Sequence, residues 1–203
     1  MTSRATIFAN IEAATAAIKS KTPLPNYNVT LTHALPKLEG SDLWQIFRRN
    51  FTAVNGKTME STAELIDFLK TCGHTRGYCD PKLFATIGTQ IIGAGLGLST
   101  DFDRTRYDDY QFGITRATGA IAESGTLILD DEHTSRRLAA LAPWIHVAVL
   151  ERPEIHRTIS AALAALGNNP NIIWCTGPSK TADVEGILIE GVHGPGEQIA
   201  LLV

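Results

Sequence analysis

Residues 113–129 read GITRATGAIAESGTLIL. A polar, glycine-punctuated approach from Gly113 to Gly119 leads into the apolar run Ala120-Ile121-Ala122, then Glu123-Ser124-Gly125, then the β-rich run Thr126-Leu127-Ile128-Leu129. Two short strand patterns around a glycine-containing polar tip predict a strand, a tight turn and a strand. The tip gathers a carboxylate, the hydroxyls of Ser124 and Thr126, and Gly125. Apolar flanks would hold such a tip in a rigid sheet, where functional groups are commonly displayed. The plainer reading is that Glu123 is solvated and that Ser124 and Gly125 only form the turn. Both stay open on this stretch alone.

Outward from it, 203 residues suffice for one large domain, or for a domain with a small appendage. A hydrophobic fraction of 44% with 19% charged residues fits a globular protein with a substantial core. The net charge of -3 gives no electrostatic case for nucleic acid or an anionic membrane. No apolar run approaches the roughly 20 residues of a membrane-spanning helix. The first residues, MTSRATIFANIEAA, lack the apolar core of a signal peptide, so the expected compartment is the cytoplasm. Cys72, Cys79 and Cys175 show no zinc or iron–sulfur spacing and are expected as reduced thiols. Cys175, inside Ile172-Ile173-Trp174-Cys175, reads as a small core residue.

Ile7, Phe8, Ile11, Ala14, Thr15 and Ile18 recur at helical spacing, predicting a helix over residues 5–20. Pro23 and Pro25 mark residues 21–35 as an extended linker. Ser41 or Asp42 can cap a second helix with the stripe Leu43, Ile46, Phe47, Phe51 and Val54, closed by Asn55-Gly56. Residues 1–55 are thus expected as a helical segment packed on an α/β domain of residues 56–203. In that domain Ser61 and Glu64 form a capping box for a helix ending at Gly73. Strands are expected at residues 57–60, 77–79, 91–93, 145–150, 171–175 and 198–203. A short helix is expected at 134–141 and another from Pro153 to Gly167. Alternating strands and helices predict a mostly parallel sheet in an α/β sandwich.

Gly93-Ala94-Gly95-Leu96-Gly97 does not complete a dinucleotide fingerprint, since Leu98 stands where the third glycine belongs and a polar loop follows. Asp101, Asp103, Asp108 and Asp109 lie among Arg104 and Arg106 without calcium-loop spacing, and read as a charge-balanced loop. Residues 176–185, TGPSKTADVE, follow a predicted strand. Gly177 and Pro178 make the turn, and Ser179 or Thr181 can cap a helical turn beside Lys180, an arrangement suited to an anion. Asp183 and Glu185 are a site pair or ordinary first-turn carboxylates. His193 sits in the turn Val192-His193-Gly194-Pro195. His146, inside a strand, reads as a hydrogen-bonded core residue rather than a ligand.

Residues 113–129, Pro143-Trp144-Ile145-His146-Val147, TGPSKTADVEG, GVHGP and a terminal apolar strand together resemble the LUD domain, and within it the lactate-utilisation protein C branch. The resemblance covers residues 85–203 well and the N-terminal part loosely. The family pattern at the hairpin is Ala-Glu-Thr-Gly-Thr; here Ser124 keeps a hydroxyl in place of the first threonine. Arg116 receives no family role, because several members carry glycine there. The resemblance implies a three-layer α/β/α sandwich like that of the sugar-phosphate isomerase and coenzyme A transferase group. It also implies a part in oxidising L-lactate to pyruvate beside iron–sulfur partner proteins. This chain has no cluster motif, so clusters are expected in the partners and neither cofactor nor metal in the chain itself. The expected site joins Glu123 and His193 as catalytic candidates with Ser124, Gly125, Thr126, Gly177, Ser179, Lys180, Thr181 and Asp183 around a small anionic ligand, in one cleft at the carboxyl edge of the sheet. The rival reading is a stand-alone transferase or isomerase acting on a small carboxylate, a coenzyme A thioester or a sugar phosphate through Glu123. A third is an interaction module. A homo-oligomer is compatible with each.

Overall fold

The computed structural model of the chain describes residues 3–18, 35–131, 134, 136–167, 171–182 and 187–203. The predicted linker falls almost wholly outside them. The chain divides into two units, Met1–Thr32 and His33–Val203. The first contains α1, Ser3–Thr15. All that follows concerns the second.

After a 3-10 turn at Leu35–Leu38 this unit forms α2, Leu43–Thr52, where Asp42 accepts the Trp44 N–H at 2.9 Å and so satisfies a helix-end donor. The apolar stripe read from the sequence buries Ile46, Phe47 and Phe51, and Trp44 joins them. Then come β1, Lys57–Met59, and α3, Thr62–Thr71. Ser61 caps α3 by accepting the Glu64 N–H at 3.2 Å. Next are β2, Arg76–Cys79, a π-helical turn at Phe84–Gly88, α4, Thr89–Gly93, and β3, Gly97–Ser99. Ile91 and Ile92 are thus helical rather than a strand. The apolar face is set by Ile87 and Ile91, four apart and buried, whereas Ile92 is exposed.

The quoted stretch forms β4, Phe112–Arg116, β5, Gly119–Ile121, and β6, Thr126–Asp130. After it come α5, Arg137–Leu141, β7, Ile145–Leu150, β8, Ile155–His156, and α6, Ile159–Leu166. The helix expected from Pro153 onward starts only at Ile159. Ile155 and His156 pair with Ala120 and Ile121, and Thr158 caps α6. The chain continues through β9, Ile172–Cys175, β10, Lys180–Ala182, β11, Leu188–Glu190, and β12, Glu197–Leu202.

Six strands make one sheet in the order β1-β12-β7-β4-β2-β3, every neighbouring pair parallel. A mixed four-stranded sheet runs β8-β5-β6-β9, and β10-β11 is a separate antiparallel two-stranded sheet. Strand alternation divides the core. Ile145, Val147, Ile199 and Leu201 meet Leu65, Leu69, Ile87 and Ile91 of the helical layer. Ala148, Leu150, Ala200 and Leu202 meet Phe47 and Phe51 of α2 together with Leu127 and Leu129 of β6. The protein is therefore a mixed α/β fold around a parallel sheet. Helices alone were expected on both faces; one face is instead covered by α2 and a second sheet. The cause is the passage at Ala117-Thr118, where the chain leaves the main sheet and β5 turns back with β6 to form another.

Candidate functional site

The hairpin tip is held from outside by α2. Ile121 pairs with Thr126 across the turn. Gly125 has φ of +62°, and a Cβ there would stand 2.4 Å from the Phe51 nitrogen, so only glycine allows the approach. The Asn50 side-chain amide donates to the Ala122 carbonyl at 2.7 Å and the Glu123 carbonyl at 3.3 Å. Glu123 is buried at 6% exposure, and its Oε2 accepts the N–H of Ile159, the first residue of α6, at 3.3 Å. A carboxylate is stabilised there by the unpaired amides of a helix start. The Ser124 hydroxyl lies 2.7 Å from Thr126 Oγ1, which lies 2.8 Å from Thr176 Oγ1. This chain of hydroxyls joins the tip to the loop after β9.

That loop borders a cleft of about 420 Å³ between Cys175–Lys180, Leu141 and the turn His193–Pro195, with Gln198 among its lining residues. The Ser179 N–H donates to the Pro195 carbonyl at 2.9 Å, and the Ser179 carbonyl accepts the Gly191 N–H at 2.9 Å, fastening the loop to the turn. Gly177 has φ of +78°, and a Cβ would come 2.3 Å from the Val54 carbonyl oxygen. Lys180 Nζ donates to that same carbonyl at 2.9 Å and lies 3.6 Å from Glu190. Directly after Ser179 the chain is extended, not helical: residues 180–182 pair with β11, Thr181 opposite Ile189, and residues 183–186 lie outside the described residues. Asp183 lies outside the described residues. Burial pushes the Cys175 thiol up to about 11, which keeps it protonated at the cleft wall.

Behind the cleft, the Gln198 amide donates to His146 Nδ1 at 2.7 Å, which leaves the Nε2 proton facing Thr115 Oγ1 at 2.8 Å. Both ring nitrogens are satisfied inside the core, and burial lowers the His146 pKa to about 4.

The structure brings together Gly177, Ser179, Lys180 and His193, with Thr126 reaching them through Thr176. Glu123, Ser124 and Gly125 sit at the tip and are not among the residues lining the cleft. The cleft also lies at the amino edge of the parallel sheet, not the carboxyl edge: His193–Pro195 runs into the start of β12, and Leu141 lies shortly before the start of β7. Sequence reasoning missed Thr176 and Gln198 as lining residues. The signal for Gln198 is a lone amide directly before the apolar run of the last strand, residues 199–202. With Ser179, Thr176, His193 and Gln198 beside Ile173, Trp174 and Pro178, the cleft can hold a small molecule by one apolar face and a few polar contacts. Among the described residues no three His, Cys, Asp or Glu side chains converge as metal ligands, and no helix is long and apolar enough to cross a membrane.

Relatives show the same pattern of likeness. Lactate utilization protein C of Deinococcus radiodurans is 36% identical over 87 residues, 40% of this chain. Lactate utilization protein C of Bacillus subtilis is 33% identical over 99 residues, 45% of this chain. Each alignment spans 41% of the relative's own length. A crystal structure of a DUF162 family protein from Deinococcus radiodurans matches with a TM-score of 0.58 at 22% identity, covering 79% of this chain and 96% of that one, a likeness of fold. The LUD domain model matches residues 92–203, more than half of the chain and all of the cleft, and on that match the protein belongs to the LUD domain family.

Proposed function

We propose that this protein is a lactate-utilisation factor, a subunit or accessory of an iron–sulfur system that oxidises L-lactate to pyruvate, and that its amino-edge cleft holds a small anionic ligand. The reading rests above all on the likeness to proteins named lactate utilization protein C, together with the LUD domain match over residues 92–203, which include the cleft. In this reading the clusters belong to partner proteins, because Cys72, Cys79 and Cys175 lack the spacing of a cluster motif. A fold of the coenzyme A transferase kind is part of the same proposal. In it Glu123 positions the hairpin by holding the start of α6, while Ser179 and His193 meet the ligand. The orientation of Glu123 toward α6 favours this over the reading in which Glu123 is a nucleophile.

The test is growth of a deletion strain on L-lactate, complemented by the wild-type chain or by the double variant Ser179→Ala, His193→Ala. The expected result is that wild type alone restores growth on lactate, both grow on pyruvate, and the variant accumulates as folded protein. Normal growth of the deletion strain on lactate would remove the proposal.

A further inference from the structure

The opposite, carboxyl edge of the parallel sheet carries a second cleft, of about 460 Å³. Its walls come from the ends of five strands. Thr62 follows β1, Lys82 follows β2, Arg116 ends β4, Glu151 follows β7, and Val203 follows β12. Thr86 and Gln90 add a wall from the π-helical turn and α4.

The topology marks this place. From β2 the next strand of the main sheet, β3, lies on one side. From β4 the next, β7, lies on the other. The connections thus diverge between β2 and β4, and open parallel sheets bind ligands in the crevice such a divergence leaves at the carboxyl ends. Two buried polar groups stand close by in sequence to these strand ends, though neither is among the residues lining the cleft. Asp80, directly after β2, is buried at 1% exposure; its Oδ1 accepts the Lys82 N–H at 2.8 Å, while Oδ2 has no hydrogen-bond partner among the described residues. Thr118, just beyond β4, has a buried hydroxyl in the same condition. The wall is also a π-helical turn, an element that recurs at functional sites. Gln90 Nε2 donates to the Thr86 carbonyl at 2.7 Å and Thr86 Oγ1 to the Leu83 carbonyl at 3.2 Å, so that wall is internally braced.

From this arrangement we infer that the carboxyl-edge cleft is a second ligand site, separate from the amino-edge cleft, for a small hydroxylated organic anion. Its phosphate or carboxylate rests between Lys82 and Arg116, and its hydroxyls face Glu151, Thr62, Thr86 and Gln90. Two cations against one carboxylate favour a ligand of low negative charge, and Glu151 accepts hydroxyl donors while repelling a second acidic group.

The test uses the full chain, uniformly ¹⁵N-labelled, titrated separately with inorganic phosphate and with L-lactate, so that the two head groups are told apart. At least one probe is expected to shift the amides of residues 82–90 and 116–118 saturably. Arg116→Gln and Lys82→Gln should each raise that Kd at least tenfold, and His193→Ala should leave it unchanged. Lys82 is exposed, so its variant carries the test if Arg116→Gln does not fold. Saturable shifts confined to residues 176–180 and 193–198, no saturable shift with either probe, or an unchanged Kd in the folded variants would overturn the inference. Each of these outcomes leaves the growth test of the proposed function standing, so the two readings fail separately.

Discussion

Glu123 stands at the helix start of α6 with its carboxylate buried, and this fixes what its substitution should do. Glu123→Gln keeps an acceptor for the Ile159 N–H but loses the charge that favours a helix start. A cost of about 1 kcal/mol is expected. Glu123→Ala removes the acceptor and should cost about 1 to 3 kcal/mol. Melting curves read both, and loss of growth on lactate should follow loss of folded protein. A Glu123→Gln protein that melts like wild type yet fails to support growth would assign the carboxylate to chemistry instead. His146 gives the acid limb of stability. Its folded pKa of about 4 lies below the value near 6.5 it has when unfolded, so the unfolded chain binds the proton first. The neutral ring's contribution is fully present above pH 6.5. It falls as pH drops toward 4, by about 3 kcal/mol at most. Unfolding midpoints between pH 7 and 4 should show this slope, and His146→Gln should flatten it.

At the scale of elements, α2 and the turn that directly follows it carry both site loops. The tip closes on Asn50 and Phe51, and the loop after β9 closes on Val54. Gly177→Ala should cost about 1 to 3 kcal/mol, since it meets a carbonyl oxygen and a left-handed φ together. Asn50→Ala should cost about as much by leaving buried carbonyls without a donor. Chemical denaturation measures both; wild-type stability in either would show that α2 is not what clamps the loops. The sequence made α2 legible, because an Asp cap and an apolar stripe are local signals. The hairpin at residues 113–129 was legible for the same reason, alternation around a glycine turn. Ile91-Ile92 misled because two adjacent branched residues fit strand and helix alike, and only the distant packing of Ile91 decides. Ser179 misled because its loop is set by Pro195 and by β11, partners that no local pattern announces. The hydroxyl chain through Thr176 and the amide of Gln198 were invisible for the same reason, since their meaning lies in neighbours distant in sequence.

For the whole molecule, the parallel sheet was legible from the alternation of strand and helix patterns, but the order of its strands was not. That order places β12 between β1 and β7, with Lys57 opposite Ile199 and Gln198 opposite His146. The strand β1 has no other strand neighbour among the described residues. Hydrogen exchange should therefore find the amides of β1 opening whenever β12 opens, with β4 and β7 protected longer. Protection of β1 outlasting that of β12 would contradict this pairing. The same insertion has a meaning in time as well as in space. A chain that must bring two remote strands together closes large loops before it gains their contacts, and folds slowly for that reason. While β12 is undocked, β1 waits without a hydrogen-bonded strand, and the apolar edge of β7 stands open to any other extended chain. The interval before that one strand arrives is when this protein is most exposed to misassembly, and folding at low concentration should raise its yield more than any substitution in either cleft.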